Sequence, residues 1–175
     1  MVKKVGIYGG SFNPVHFGHT GLAKWVVENT DLDELWMMVS PNNPLKEADT
    51  LAPEQERLAA VREAVRDIPN VIASDYEFFL PRPSYTVDTL KALCRDFPQY
   101  EFTLVIGEDN MALFERWKDY GYILSHFRIF VYPRKGAIIN RQSLISSSGN
   151  VVFLDGAPYF DISSTEIRKK KNTEH

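Results

Sequence analysis

Cysteine, membrane-length hydrophobic runs and excess positive charge are all scarce in this chain of 175 residues. Its single cysteine, Cys94, rules out an internal disulfide and suits a reducing compartment. No apolar run approaches the length that spans a bilayer, and no apolar core of a secretory leader follows the N-terminus. A formal net charge of -3 disfavours a protein that holds nucleic acid through a broad basic face. We therefore expect a soluble, cytoplasmic protein without a membrane or nucleic-acid partner.

Internal repeats, low-complexity segments and linkers are also absent from the sequence. A hydrophobic fraction of 44% over 175 residues is enough to bury a substantial core. We predict one domain over residues 1–175, with a short solvated tail from about residue 169 to 175. Cys94 lies in the helical pattern "TLKALCRDF", where we expect a small buried side chain rather than a catalytic thiol.

Short apolar runs alternate with amphipathic segments along the whole chain. The runs that predict strands are "KVGIYG", "LWMMVSP", "NVIASDYEF", "FTLVIG", "FRIFVYP" and "VVFLDG". The segments with apolar residues at helical spacing are "GLAKWVVEN", "EQERLAAVREAVRDI" and "YTVDTLKALCRDF", and "SSTEIRKKK" predicts a last helix. This alternation indicates an α/β fold with a Rossmann-like, doubly wound parallel sheet. Right-handed crossovers then place the binding crevice at the carboxyl ends of the strands.

Polar loops follow four of the predicted strands at the point where each strand ends. They read "GGSFNPVHFGH" after the first strand, "SPNNPLK" after the second, "GEDN" after "FTLVI" and "PRKG" after "FRIFVY". Because the carboxyl ends of parallel strands meet at one edge of a sheet, we expect these four loops to converge on one crevice.

The glycine-rich turn in "GIYGGSFNPVHFGH" does not fit two common nucleotide-binding patterns. The dinucleotide fingerprint needs G-x-G-x-x-G and an acidic residue at the end of the next strand, which here ends in Ser40-Pro41. The P-loop pattern is missing as well. Gly18 lets a helix N-terminus approach a ligand, and backbone N–H groups there favour phosphate. We favour a phosphate site; the alternative is that Gly9 and Gly10 only turn the chain while the histidines cap or fill space.

The two histidines of this turn also raise the question of a metal site. His16 and His19 are three residues apart, so they can share a helix face. A zinc site needs three or four ligands, and neither Cys94 nor the distant His126 completes one in an obvious way. We therefore expect no metal held by the protein alone.

Two motifs at opposite ends of the chain resemble signatures of the nucleotidylyltransferase superfamily. The turn "GGSFNPVHFGH" is similar to the paired-histidine motif that holds a nucleotide triphosphate, and "ISSTEIR" is similar to the second signature. Between them, "SPNNPLK", "RPSYTVDTL", "LVIGEDN" and "ERW" resemble the marks of the bacterial nicotinate mononucleotide adenylyltransferase family. The resemblance runs from about Val2 to Arg168, which is nearly the whole chain.

The resemblance implies attack of nicotinate mononucleotide on the α-phosphorus of ATP, giving the deamido dinucleotide and pyrophosphate. A phosphate monoester has a second pKa of about 6 and is mostly dianionic at pH 7, so no general base is needed. The catalytic residues that it implies are His16 and His19, which donate to phosphate, and Lys46 and Arg168, which add positive charge. Mg²⁺ is expected to arrive with ATP. The further ATP-binding residues that it implies are Gly9, Gly10, Ser11, Phe12, Gly107, Asp109, Ile162, Ser163, Ser164 and Thr165.

For the acceptor, the resemblance implies that Tyr85 and Thr86 receive the nicotinate carboxylate at a helix start. Trp117 would stack on the pyridine ring; its alternative is a core tryptophan that ends an amphipathic helix with Met111, Leu113 and Phe114. Further implied contacts are Asp109 with ribose hydroxyls, Gly107 leaving space for adenosine, and Arg134 attracting the acid, with a solvated surface charge as the alternative for Arg134.

The sequence alone leaves other interpretations of the second signature, the acceptor and the activity open. Ser163 and Glu166 have the spacing of a capping box, which is compatible with phosphate binding by the same helix start. Three alternatives for the acceptor are nicotinate mononucleotide, nicotinamide mononucleotide and another molecule that carries a phosphate. A nucleotide-binding sensor without turnover is a separate alternative, and a homo-oligomer is left open.

Overall fold

The computed structural model describes residues 2–42, 51–136, 139–159, 164, 167 and 168, without the side chains of residues 145–148. Six strands form one parallel sheet in the order β3-β2-β1-β4-β5-β6. The strands are β1 (Lys3–Gly10), β2 (Glu34–Val39), β3 (Val71–Ser74), β4 (Tyr100–Gly107), β5 (Arg128–Tyr132) and β6 (Val151–Phe153). The helices are α1 (Phe17–Asn29), α2 (Glu54–Val65), α3 (Thr86–Asp96), α4 (Glu108–Ala112), α5 (Tyr120–His126) and α6 (Arg141–Ser148).

The strand order confirms the Rossmann-like, doubly wound sheet. The chain winds outward from β1 to β3 and then returns to place β4 on the other side of β1. A crevice opens at such a switch point, outside the carboxyl ends of β1 and β4, because the connections leave these two strands in opposite directions. The loops after β1, β2, β4 and β5 therefore surround this crevice.

Two apolar clusters fill the space between the sheet and its two layers of helices. On one face α1 and α2 pack against the sheet, and on the other face α3 and α5 do so. The buried side chains of α1, α2 and α3 follow the predicted spacing, and they are Leu22, Ala23, Val26, Leu58, Val61 and Val65 on the first face and Val87, Leu90 and Leu93 on the second. Helix α5, which is not among the predicted helices, adds Ile123 to the second face. Strands β1 and β4 are buried in their middles, which holds the loops of the crevice on a rigid base.

Three local predictions were wrong. The third strand ends at Ser74, because the Ser74 hydroxyl accepts from the Tyr76 amide at 3.2 Å and Tyr76–Phe79 turns into a 3₁₀ helix. The segment that ends at Trp117 is not one helix: α4 stops at Ala112, a 3₁₀ turn covers Phe114–Arg116, and Leu113 is exposed. Cys94 is exposed, because Leu90 and Leu93 take the face of α3 that meets the sheet.

Candidate active site

Two adjoining cavities occupy the crevice at the carboxyl ends of the strands. The histidine cavity, of about 270 Å³, is lined by both histidines of the turn after β1 together with Asp109, Arg134 and Ser164. The α3 cavity, of about 610 Å³, is lined by the end of β1 and the start of α3. The residues that line both are Ser11, Tyr132 and Arg168. The predicted convergence of the polar loops on one crevice is confirmed.

The two histidines cap the first turn of α1 with their Nδ1 atoms. The Gly18 amide donates to His16 Nδ1 at 3.1 Å, and the His16 amide donates to His19 Nδ1 at 3.1 Å. The imidazole rings stack with centroids 3.7 Å apart. Since both Nδ1 atoms accept hydrogen bonds, each neutral ring carries its proton on Nε2. Capping therefore leaves two N–H donors available, so the proposed alternatives of capping and phosphate binding are compatible.

Both histidines are held neutral by their surroundings. Burial lowers the pKa of His19 to about 3, and the charges of His16 and Arg134 act in the same direction. Burial, and then the charge of Arg134, also lowers the pKa of His16. At pH 7 the pair therefore offers hydrogen-bond donors without net charge.

Phe12 stands behind this pair rather than in a cavity. The Phe12 ring lies edge-on to the rings of His19 and Tyr8, with distances between ring centroids of 4.9 Å and 5.5 Å. The residue is only 3% exposed. Its φ of 47° is in the left-handed region, which is uncommon for an aromatic residue. The side chain of Phe12 thus buttresses His19, and it does not line either cavity in the described structure.

Arg134 lies with the histidines in the described structure, and its attraction for the acceptor acid stays a prediction. It lines the histidine cavity, and its Nε is 3.9 Å from Asp109 Oδ2. Its charge also contributes to the lowered pKa of both histidines. Arg134 is therefore part of the lining of the histidine cavity.

The second signature motif meets the turn after β1. Ser164 Oγ donates to the Pro14 carbonyl at 2.7 Å, and Arg168 Nη1 donates to the Asn13 carbonyl. These contacts bring both signatures to the histidine cavity, as the resemblance implies. The predictions for Lys46, Ile162, Ser163 and Thr165, and for the capping box with Glu166, concern residues outside the described part of the chain.

The surroundings of Gly107, at the end of β4, leave no room for a side chain at this position. A Cβ there would lie 2.5 Å from Asp109 Oδ1, 2.8 Å from Arg134 Cγ and 3.0 Å from Tyr132 Cε2. A Cβ at Gly107 would thus meet atoms of this chain, and the room for adenosine beside the glycine stays a prediction. Its absent side chain lets Asp109, Arg134 and Tyr132 approach the strand end.

The start of α3 has the predicted position at the α3 cavity. Thr86 and Trp117 line it together with Gly9 and Gly10. Tyr85 precedes the helix without a side-chain cap, so amide groups of the first turn stay available. Tyr85 is 44% exposed, and Lys118 Nζ lies 4.9 Å from the centroid of its ring. Tyr85 is not among the described lining residues of either cavity. Trp117 also packs on Phe114, with centroids 5.0 Å apart, so it is both a packed residue and a cavity wall.

Two polar residues of the α3 cavity have no signal in the sequence. Burial raises the pKa of Glu77, whose carboxylate accepts from Thr89 Oγ1 at 2.6 Å. Ser84 Oγ is buried and has no hydrogen-bond partner in the described part of the chain. Both side chains line the cavity only because a 3₁₀ helix and a loop fold beneath α3, which no local pattern of residues predicts.

The residues that the structure describes include no group of three histidine, cysteine, aspartate or glutamate side chains placed to hold a metal ion. None of the described helices has the length and hydropathy of a membrane span.

The sequence pattern of the cytidylyltransferase-like family matches residues 7–170. The chain belongs to this family. Within it, the chain is 45% identical over 176 residues to a probable nicotinate-nucleotide adenylyltransferase of Flavobacterium psychrophilum, covering 98% of this chain and 90% of the relative. It is 47% identical over 166 residues to a protein of the same name from Bacteroides thetaiotaomicron, with 95% and 80% covered.

Two solved structures have folds similar to that of this chain. A Plasmodium falciparum nicotinic acid mononucleotide adenylyltransferase complexed with NaAD has a TM-score of 0.78 at 19% identity, over 95% of this chain and 83% of that one. A putative nicotinate-nucleotide adenylyltransferase from Vibrio parahaemolyticus has a TM-score of 0.70 at 22% identity, over 98% of this chain and 88% of that one. At these identities the likeness concerns the fold.

The arrangement suits the transfer of a phosphoryl-linked group between two anionic ligands. Two neutral imidazole N–H donors and two arginines face the histidine cavity, and one carboxylate, Asp109, is among its described lining residues. An uncapped helix start faces the adjoining cavity. The site therefore joins the histidine cavity to the α3 cavity at the shared residues Ser11, Tyr132 and Arg168.

Proposed function

We propose that this protein transfers the adenylyl group of ATP to nicotinate mononucleotide, releasing pyrophosphate. The observation that carries the proposal is the continuity of two anion-binding cavities at the switch point of the sheet. The names of relatives that are 45% and 47% identical over nearly the whole chain support the same reaction. The product is the deamido form of NAD.

The reaction needs positioning more than proton transfer. The acceptor phosphate is mostly dianionic at pH 7, since its second pKa is about 6. One of its oxygens forms a bond to the α-phosphorus of ATP while the bond from that phosphorus to the bridging oxygen of pyrophosphate breaks. The chain has to align these atoms and balance the charge of the leaving group.

The histidine cavity is the proposed site of the triphosphate. The Nε2–H groups of His16 and His19 donate to phosphate oxygens, and Arg134 and Arg168 supply positive charge. The N-terminus of α1 adds its partial positive charge at the same place. Because the histidines cap α1 through Nδ1, their rings are oriented before ATP binds.

The α3 cavity is the proposed site of the acceptor. The first-turn amides of α3 and the Thr86 hydroxyl receive the pyridine carboxylate, and Trp117 stacks on the ring. An amide group in place of the carboxylate would gain less from the helix start, because the partial positive charge there favours an anion. Discrimination of acid from amide is therefore expected at Thr86.

Mg²⁺ is proposed to enter with ATP, where it neutralises phosphate charge. Asp109 is the one carboxylate in the described lining of the histidine cavity, and a single carboxylate suits an ion that keeps phosphate oxygens and water as its other ligands. Lys46 as an added cation and a cytoplasmic location remain predictions. The prediction for Lys46 rests on the resemblance. The prediction of a cytoplasmic location rests on the lone cysteine and the use of ATP.

Pyrophosphate release with each mononucleotide tests the proposal. The purified protein is incubated with ATP and Mg²⁺ and either nicotinate or nicotinamide mononucleotide, alongside His19→Ala and the exposed control His126→Ala. We expect the acid to react at least about tenfold faster than the amide, and His19→Ala to lose about 10²- to 10³-fold in rate, while His126→Ala keeps the wild-type rate. ATP binding without turnover of either acceptor would favour the sensor, and faster reaction of the amide would overturn the acceptor assignment.

A further inference from the structure

Arg57 is a buried arginine on α2 that lines neither cavity in the described structure. The residue is 3% exposed. Its guanidinium donates four hydrogen bonds, to the Ala52 carbonyl at 2.9 Å, the Ser11 carbonyl at 2.8 Å, the Ser40 carbonyl at 2.8 Å and Asn42 Oδ1 at 2.7 Å. All of these acceptors are uncharged oxygens from loops around the crevice.

The charge of Arg57 is not balanced by a bonded carboxylate in the part of the chain that the structure describes. Burial lowers its pKa, and Glu54 acts on it only through space. A buried cation bonded to neutral oxygens is costly, since its lost hydration is only partly returned. An apolar side chain would fill the same volume without that cost, so the guanidinium has a role beyond packing.

The guanidinium of Arg57 donates hydrogen bonds at the point where the pairing of β1 with β2 ends. The last backbone bond between the ends of β1 and β2 runs from the Ser40 amide to the Gly10 carbonyl at 2.9 Å. Beyond it, the carbonyls of Ser11 and Ser40 both accept from Arg57 Nη1. One nitrogen thus ties together two chain segments that the sheet no longer holds.

These two segments both line the α3 cavity, and the first of them also reaches the histidine cavity. Ser11 lines both the histidine cavity and the α3 cavity, while Ser40 and Asn42 line the α3 cavity. The turn after β1 therefore extends from the proposed triphosphate site into the α3 cavity, and the segment after β2 belongs to the proposed acceptor site alone. Arg57 donates hydrogen bonds to both segments.

We propose that Arg57 is a positioning residue for adenylyl transfer, which holds the acceptor wall in register with the triphosphate turn. The inference rests on the proposed function. Each cavity keeps its own binding groups without Arg57, so each substrate alone still binds. In-line attack depends on the relative placement of the two substrates, and a misplacement of about 1 Å costs about 10²-fold in rate.

The test compares Arg57→Met and Arg57→Lys with Arg62→Met, a control on the exposed side of the same helix. We measure kcat, both KM values and binding of each substrate alone, well below the unfolding temperature of each variant. Arg57→Met is expected to lower kcat by about 30-fold or more while each KM and Kd changes by less than about threefold. Arg57→Lys, which keeps part of the bonding, should recover part of kcat, and Arg62→Met should match the wild type.

Other results would overturn the inference. A folded Arg57→Met protein with a wild-type kcat would mean that Arg57 only stabilises the fold, and raised KM values at unchanged kcat would mean that it shapes one binding wall. If Arg57→Met does not fold, Arg57→Lys decides: a lowered kcat with unchanged substrate binding supports positioning, and an unchanged kcat opposes it. An inactive wild type would instead refute the proposed function, and the inference would fall with it.

Discussion

The histidine pair shows how one residue type meets two requirements at once. A serine or aspartate caps a helix with its only polar group, whereas imidazole caps with one nitrogen and keeps the other. In this chain Nδ1 of His16 and of His19 closes the first turn of α1, and Nε2 of each remains for a ligand. The capping geometry therefore fixes the tautomer that phosphate binding requires.

The lowered pKa of His19 predicts a pH dependence of stability. Folded His19 has a pKa of about 3, against about 6.5 for an unfolded histidine, so between these values unfolding takes up a proton. This contribution to stability is complete above about pH 6.5 and is lost as the pH falls towards 3, with a slope of at most about 1.4 kcal/mol per pH unit.

Urea unfolding of the wild type and His19→Gln between pH 4.5 and 7.5 measures that slope. Glutamine removes the titrating group, so the variant should lose less stability over this range even if it is less stable at pH 7.5. Parallel curves for the two proteins would contradict the assigned pKa, because carboxylates contribute equally to both.

Ser84 gives a prediction of the opposite kind, a polar group whose removal does no harm. Its buried hydroxyl has no partner among the described residues, and such a group costs about 1 to 3 kcal/mol. Ser84→Ala should therefore leave the free energy of unfolding unchanged or raise it by about 1 kcal/mol. Thr89→Val is the contrasting variant: it deprives the Glu77 carboxylate of its donor and should destabilise the protein. Destabilisation by Ser84→Ala, measured by urea unfolding, would show that its hydroxyl is satisfied in solution.

At the scale of elements, apolar runs predicted the strands well and their ends poorly. Periodicity reports burial, so the buried runs of β1, β2, β4 and β5 were visible in the sequence. The exit from β3 depends on one hydroxyl-to-amide bond at Ser74, which periodicity does not encode.

The same division holds for the site. The signature motifs identified the residues of the turn after β1 and of the start of α3, because those bonds are local. The positions of Arg57, Glu77 and Arg134 around the crevice depend on contacts between distant segments, which no local pattern in the sequence encodes.

The end of β4 offers a test at this scale through one substitution made at two glycines. Gly107→Ala would push against Asp109, Arg134 and Tyr132, so we expect a loss of about 1 to 3 kcal/mol in stability and a raised KM for ATP. Gly121→Ala, within α5, meets no atom within 4 Å and should stabilise the protein by about 0.5 to 1 kcal/mol. Thermal unfolding measures the stability of both variants, and initial rates at varied ATP concentration measure the KM for ATP. An unchanged KM in Gly107→Ala would show that Arg134 and Asp109 move aside without weakening the binding of ATP.

For the whole molecule, net charge and local charge have opposite signs. The chain carries a net charge of -3, yet the histidine cavity contains Arg134 and Arg168 against one described carboxylate. An anionic nucleotide is therefore repelled weakly by the surface as a whole and attracted at one place, which favours binding at the crevice over binding elsewhere.

This charge distribution predicts a salt-dependent KM for ATP. Raising KCl from about 0.05 to 0.5 M shortens the Debye length from about 14 to about 4 Å, so attraction to the partly exposed arginines is screened. We expect the KM for ATP to rise about 3- to 10-fold, with a smaller change in kcat. Arg134→Gln should reduce this salt dependence, and equal salt dependence in both proteins would place the attraction elsewhere.

The contacts from Ser164 to Pro14 and from Arg168 to Asn13 join positions 150 and 155 residues apart in the chain. The turn that carries the histidines therefore leaves the ribosome well before the groups that contact it. All six strands of the sheet also precede Ser164 in the chain, so the sheet can form before the proposed triphosphate site is complete. We expect a ribosome-bound chain that ends after β6 to contain the sheet and to bind ATP more weakly than the full chain.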